Sequence, residues 1–461
     1  MMPDSSTIDE LIACPRCDKT PLFRAEQYYC CKACDVKFPL IGELPWLFAE
    51  PGASLGEWRN RLHFALQQLA HDAKRTKSEL LDSKLADLTK RRLELMLSAS
   101  EQHRHTLKNL LLPIDMQSLD ASYESHLALR TRLPGDQGLN TYYANAHRDW
   151  CWGDKENEAS LDQLRQALKA SGNPPPGDTL VLGAGAGRLS YDVHQQLGPT
   201  RTVAVDFNPL LMFIARDLTR GEQLQLFEFP LAPRTLRDTA VSRTLSAPNV
   251  VRDGFFLLLA DVLRPPFATH SFDTVITPWL VDIVSEDFPI FAQRINALLK
   301  PGGRWLNFGS LAFDSPQRRR RYSAEEVIML VEKSGFAAPE VLQADIPYMC
   351  SPASRHGRIE TVFTFAAYKK KDLKPPPRHK ALPDWLVTGK EPVPLLPSFR
   401  TQALSTQIYS FIMSLIDGKR TIDDMAKLLE QQKLMSHREA VPAIRQFLTK
   451  MFEDSQRPAG F

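Results

Sequence analysis

The sequence predicts an α/β fold, a doubly wound and mostly parallel sheet, with a small cysteine-rich module before it and a helical unit after it. Three observations carry this. From Asp178 to Tyr368 short apolar runs alternate with amphipathic segments, as in a parallel sheet covered by helices. The first run, Leu180–Leu182, passes straight into Gly183, Gly185 and Gly187, and a helical pattern follows. Two Cys-x-x-Cys pairs, Cys14/Cys17 and Cys31/Cys34, stand near the start of the chain.

The chain has 461 residues, enough for several cores. Composition shifts divide it into a cysteine module (1–50), a helical region (51–140), the sheet domain (141–370), a proline-rich linker (371–400) and a helical tail (401–461). A net charge of +3 creates no strong field for nucleic acid or a membrane surface. Residues 1–10 are polar, and no apolar run approaches the roughly 18 residues of a spanning helix. A cytoplasmic protein is expected, with neither membrane nor nucleic acid as partner.

In the first module the two Cys-x-x-Cys pairs are separated by 13 residues. Tetrahedral zinc takes four thiolates, and each pair supplies two. Cys14, Cys17, Cys31 and Cys34 are the expected ligands of a structural zinc, with Cys30 a neighbouring alternative to Cys31. The apolar, proline-broken Phe38–Phe48 that follows predicts a small β-ribbon docking onto another surface. The stretch resembles the zinc ribbons that precede some bacterial methyltransferases or act as small methyltransferase activators. Residues 52–112 then read as helix, with Leu81, Leu85, Leu88 and Leu95 marking an apolar face that covers a neighbouring core.

Tyr142–Trp152 is dense in aromatics and contains an Arg148-Asp149 pair; a helix over 159–170 and the turn Pro174–Gly177 follow. Glycines let a ligand approach the backbone, and the helix start offers free N–H groups. Nineteen residues after Gly187, Asp206 ends a second apolar run, where a carboxylate can accept hydrogen bonds from a ribose diol. The proline-containing 224–249 reads as irregular and is a candidate substrate-binding insertion. Further strands are expected at 255–260, ending at Asp261, and at 273–277, 304–309, 341–346 and 361–368. Ser323 with Glu326 forms a capping box for a helix ending at Gly335.

The glycine turn alone indicates a nucleotide. The series of glycine turn, Asp206, Asp261, Asp273–Thr277 and the Lys300-Pro-Gly-Gly303 turn resembles class I S-adenosylmethionine (SAM)-dependent methyltransferases. The closing strand pair and the Lys-Pro-Gly-Gly turn favour SAM over the rival nucleotide, NAD. Within that class, Arg148–Trp150, Gly183–Leu189, Val205–Met212, Ile276–Val284 and Arg304–Leu311 together resemble the carnosine N-methyltransferase family, over roughly 145–370.

The resemblance implies that Asn145 and Arg148 help hold SAM, with Asp206 at the ribose and Asp261 and Val262 at the adenine. Gly183, Gly185, Gly187, Arg188, Phe207 and Thr277 complete the expected cofactor set. Asp282 is implied to meet the acceptor nitrogen and serve as the catalytic carboxylate, though a carboxylate there could instead cap the next helix. Tyr348 matches a family tyrosine. A family histidine is replaced by Asp314 and a tyrosine-rich segment by Gly357-Arg358-Ile359, so Asp314 and Tyr348 join Asp282 as the substrate-binding set. The basic run Arg318–Arg321 reads as a solvated loop.

After the linker, beginning Lys369–Pro377, come a stripe of Ile408, Phe411, Ile412 and Leu415, a helix capped by Thr421 and Asp424, and a third helix over 441–452. This tail resembles the small PqqD-like winged-helix fold, which binds leader peptides. The expected function is SAM-dependent transfer of methyl to an amine or imidazole nitrogen of a peptide, protein or small-molecule acceptor. The alternative is a methyltransferase-like scaffold without activity.

Overall fold

A computed structural model describes residues 7–114, 139–172, 175–380, 383, 385 and 390–456. Part of the expected helical region (115–138), Pro174 of the expected turn and residues 381, 382, 384 and 386–389 of the expected linker lie outside the described residues. The chain forms two compact units, residues 1–383 and 384–461. Among the described residues no helix is long and apolar enough to cross a membrane.

The larger unit is built on a seven-stranded sheet. Its strands are β5 (Asp178–Leu182), β6 (Arg201–Asp206), β9 (Phe255–Leu259), β10 (Phe272–Pro278), β11 (Leu299–Phe308), β12 (Glu340–Tyr348) and β13 (Arg358–Tyr368). Their spatial order is β12-β13-β11-β10-β5-β6-β9. Neighbours from β9 to β11 pair in parallel, whereas β13 pairs antiparallel with both β11 and β12. Every residue of β5 and β6 is buried, as continuous apolar strands between two helical layers must be. The chain leaves β5 toward β9 and then returns to β10 on the other side of β5. That reversal opens a crevice at the carboxyl ends of β5 and β10.

Ion pairs fasten the opposite ends of these strands. Arg201, fully buried, grips both oxygens of Asp178 at 2.8 and 3.0 Å, and Lys300 bridges Asp178 and Asp273. Among the covering helices are α4 (Asp154–Ala170), α5 (Arg188–Gln196), α6 (Pro209–Thr219), α7 (Phe288–Leu298) and α8 (Ala324–Lys333). Asn208 caps α6 through Leu210 N, and the Ser323/Glu326 capping box opens α8 as the sequence predicts.

Residues 7–50 form an antiparallel ribbon of β1 (Phe23–Arg24), β2 (Tyr28–Cys31), β3 (Val36–Ile41) and β4 (Leu44–Pro45). It docks as the apolar run Phe38–Phe48 predicts. Trp46 bridges Leu259 of the edge strand β9 in parallel, and Leu47 N donates to Leu259 O at 2.8 Å. Ile12 bridges Phe267, while Phe38 and Leu47 share one core with Val262 and Phe267. The ribbon thus covers an edge whose backbone groups would otherwise stand open.

Three expectations are corrected. Residues 52–112 form two packed helices, α1 (Pro51–Glu79) and α2 (Asp87–Leu110), not one continuous pattern. Asp82 Oδ1 accepts from Lys84 N at 2.9 Å, a local bond that competes with helix between them. Leu81, Leu88 and Leu95 are exposed; the buried side of α2 is Leu93, Ala99, His103 and Leu107. Residues 224–249 are ordered as a hairpin of β7 (Gln223–Glu228) and β8 (Val241–Ser246), because alternate residues such as Leu226 and Leu245 bury one face. Lys369–Pro377 does not hang free as a linker. Lys369 is buried with Nζ on the carbonyls of Asn296 and Leu299, and Arg294 reaches Pro377 O.

A short α3 (Tyr143–His147) precedes α4. The smaller unit contains α9 (Pro397–Ser414), α10 (Ile422–Gln431) and α11 (His437–Gln456) around Ile412, Leu415, Met425, Leu429 and Ile444. Thr421 and Asp424 form the expected capping box. No strand occurs among its described residues.

Trp46 is fully buried and its Nε1 donates to Ser54 Oγ at 2.7 Å. Trp46→Ala should therefore lower the unfolding free energy by about 3–5 kcal/mol, read from urea denaturation.

Candidate active site

The crevice is a cavity of about 760 Å³ at the carboxyl ends of the strands. Its floor is the glycine turn after β5. Gly185 has φ +57°, and a Cβ there would meet no atom within 4 Å, so it would project into open space. Gly185 N donates to Asp206 Oδ2 at 2.8 Å and Asn208 N to Asp206 Oδ1 at 2.9 Å. Asp206 thus ties the turn to the end of β6. Burial pushes its carboxyl up to about 6, against the opposing pull of backbone N–H groups of Asn208, Gly185 and Phe207. Asp261, one strand over, is likewise raised by burial, and its Oδ1 accepts from Leu263 N at 2.8 Å.

On the β10 side, Asp282 Oδ2 accepts from Ser310 Oγ and from Ala312 N at 2.9 Å. Its Oδ1 is buried and takes no hydrogen bond within the described residues. A buried carboxylate oxygen left unpaired costs free energy unless a donor arrives. The helix-cap alternative for Asp282 falls away, since Asp287 occupies the N-cap position of α7. Trp279, at φ +49°, places its ring 4.8 Å from that of Tyr348 and 5.6 Å from that of Phe308. Such a conformation is costly for a bulky residue and occurs here at the cavity wall.

Arg148 closes a third side. Its Nε donates to Asp149 Oδ1 at 2.6 Å and its Nη1 to Glu156 Oε1 at 2.8 Å. Glu156 Oε2 in turn accepts from Met349 N at 2.8 Å, which anchors the end of β12. Burial raises Glu156, and Arg148 opposes that rise.

Ten expected residues line this one cavity: Asn145, Arg148, Gly183, Gly185, Asp206, Phe207, Asp261, Val262, Asp282 and Tyr348. Four do not. Gly187 starts α5 at φ +86°, and a Cβ there would lie 2.9 Å from Ala215, so it allows close helix packing. Arg188 pairs with Asp192 and donates to Asp149 O, supporting the wall from behind. Thr277 is fully buried between strands, donating to Asn307 and accepting from Trp305 Nε1. Asp314 is exposed and pairs with Arg321, on a loop outside the cavity.

Sequence reasoning missed Trp279, Ser310, Arg358 and His379, which also line it. Trp279 and Ser310 sit inside the motifs already singled out, beside the residues chosen. No local signal marked His379. Cys14, Cys17, Cys31 and Cys34 lie apart from the cavity, with all four Sγ atoms within 4.8 Å of one another.

The strand order with β13 reversed, the glycine turn after β5 and the acidic end of β6 together define a class I SAM-dependent methyltransferase. Residues 139–369, half of the chain, match the family model of carnosine N-methyltransferase, and the chain belongs to that family. It is 25% identical over 213 residues to the carnosine N-methyltransferase of Dictyostelium discoideum, covering 41% of this chain and 45% of that protein. The matched part therefore spans less than half the length of that relative. Similar solved structures include a SAM-dependent methyltransferase of Thermotoga maritima, described as a possible histamine N-methyltransferase. It is 18% identical and covers 50% of this chain and 98% of its own, with a TM-score of 0.30. Another is the N-methyltransferase NodS of Bradyrhizobium japonicum WM9 with S-adenosylhomocysteine, at 16%, 50%, 99% and 0.32 respectively.

Removing Arg148 would strand two buried carboxylates. Arg148→Ala should destabilise the chain by about 3–5 kcal/mol, measured by urea unfolding at neutral pH. The loss should shrink in the triple variant that also carries Asp149→Asn and Glu156→Gln.

Proposed function

We propose that this chain transfers the methyl group of SAM to an amine or imidazole nitrogen of a peptide-like or small-molecule acceptor seated against Asp282. The observation that carries it is the pairing, in one cavity, of the carboxylate that ends β6, Asp206, with a second carboxylate, Asp282, whose buried Oδ1 has no donor among the described residues.

The residues fit the cofactor. The open space beside Gly185 lets a ligand approach the turn, and the Asp206 oxygens, with about four lone-pair positions between them, keep capacity for a ribose hydroxyl after accepting their backbone N–H groups. Asp261 would accept the exocyclic amine of adenine, with Val262 beside it. Asn145 and Arg148 would face the amino-acid end. Gly183 and Phe207 complete the wall.

When bound, SAM supplies an electrophilic methyl carried on a sulfonium. Methyl transfer needs the nucleophile in line and water kept away, with modest acid–base help. Trp279, Phe308 and Tyr348 exclude water on the acceptor side. Asp282, fixed by Ser310 and Ala312 through Oδ2, would orient the acceptor N–H with Oδ1 and take its proton. The exposed Asp314 contributes nothing to that pocket. With the family histidine and the tyrosine-rich segment replaced, the acceptor proposed is the wider class of amine- and imidazole-bearing compounds rather than carnosine alone.

We propose zinc as a second, structural component. A Zn–S bond of about 2.3 Å gives a tetrahedral S···S edge of roughly 3.8 Å. Cys14 and Cys34 Sγ are 3.6 Å apart and Cys17 and Cys31 Sγ 3.5 Å, spacings that suit such a site. Four cysteine ligands would leave no open position for chemistry. For the smaller unit we propose the PqqD-like role that its three helices and capped second helix suggest, presentation of a peptide segment.

Labelled SAM, offered with imidazole- and amine-bearing dipeptides and peptides, should yield product methylated on nitrogen. Asp282→Asn should lower kcat by about 10²-fold and leave S-adenosylhomocysteine affinity unchanged. Cofactor binding without any nitrogen methylation would contradict the proposal. Elemental analysis should find about one zinc per chain. Cys31→Ser should lose it and lower the thermal midpoint.

A further inference from the structure

Among the described residues, those that line the cavity fall within 142–358, with a single exception, His379. It comes from beyond β13 and outside the 139–369 segment that matches the family. The chain after β13 is held by specific contacts. Lys369 Nζ and His270 Nε2 both engage Asp372, Leu373 N donates to Asn296 Oδ1, and Arg294 Nη2 donates to Pro377 O. Arg378 then pairs with Asp18 of the ribbon at 2.6 Å. Anchored on both sides, the next residue turns its ring inward. The His379 side chain is 22% exposed, with Nδ1 3.6 Å from Glu286 Oε1. Glu286 is itself fixed by two hydrogen bonds from Arg294.

The position of this ring along the cavity gives it a role. Asp206 and Asp261 mark the end beside β6 and β9, whereas Asp282, Tyr348 and Arg358 mark the end beside β10, β12 and β13. Arg378, the residue before His379, pairs with Asp18 of the ribbon, and Arg16 O of the same ribbon turn accepts from Arg264 Nη2 at 3.3 Å, three residues after Asp261, so the strap enters the cavity beside the Asp261–Leu263 wall. A flat, polar-edged ring suits an adenosine better than a flexible acceptor.

We infer that His379 is a cofactor-binding residue delivered by a strap from outside the catalytic domain, closing the adenosine end of the cavity beside Asp261. The inference rests on the SAM reading given above. Calorimetry on the full chain tests it with S-adenosylhomocysteine and with methylthioadenosine, which keeps the adenosine and lacks the amino-acid tail. His379→Ala should weaken both ligands by a similar factor of about five to ten, and His379→Gln, which keeps a polar edge, by less. The acceptor KM and the urea midpoint of the ligand-free protein should stay at wild-type values. Unchanged affinity in His379→Ala, or a loss confined to S-adenosylhomocysteine, would overturn the inference while leaving the SAM reading intact. If His379→Ala lowers the midpoint, His379→Gln decides the matter: wild-type affinity for both ligands in that variant would overturn the inference. A wild-type chain that binds neither ligand would overturn both.

Discussion

One buried carboxylate holds the site together. Asp206 ends β6 and accepts backbone N–H groups from Gly185 in the turn after β5 and from Asn208 at the start of α6. Three pieces of backbone converge on a charge that burial makes expensive, and their N–H groups offset part of that cost. The turn can reach Asp206 because glycine accepts φ +57° there without strain. Every other wall of the cavity is placed relative to this junction. Asp261 follows the strand on one side, β9, and Asp282 follows β10, the strand on the other side of β5.

Two segments distant in sequence pack around that junction, the ribbon at the β9 edge of the sheet and the strap after β13 along α7. The ribbon seals β9 through Trp46 and Leu47. The strap after β13 returns along α7 and meets the ribbon at Asp18. These additions do more than protect an edge. The ribbon backs the wall that carries Val262, and the strap carries His379 into the cavity. The parts flanking the catalytic domain are thereby coupled to the shape of its ligand site.

Much of this was legible in the residues. Parallel strands buried on both faces read as unbroken apolar runs, so β5, β6, β9 and β10 stood out with the residues that end them. Asp206, Asp261 and Asp282 could be chosen because function gathers at strand ends, and position along a strand is visible in sequence. Facing was harder. Leucines at 81, 88 and 95 keep a helical spacing and still point to solvent, since periodicity cannot name the side that meets a partner. Gly187, Arg188 and Thr277 lie in the right motifs, yet each is used one layer behind the cavity. The Lys369–Pro377 composition is that of a linker, and its docking depends on Asn296, Arg294 and Asp18, far away in the chain. His379 was invisible for that reason: its neighbours are tertiary, and no local pattern announces them.

At the acceptor end, Arg358 and the strained Trp279 line the cavity that also holds Asp282, whose Oδ1 takes no hydrogen bond among the described residues. The cofactor end is the part on which the whole account stands. A crystal structure grown with S-adenosylhomocysteine tests it most directly. The account predicts the ribose hydroxyls within hydrogen-bond distance of Asp206 and the adenine beside Asp261 and Val262. Ligand density elsewhere, or a ribose that makes no contact with Asp206, would contradict it.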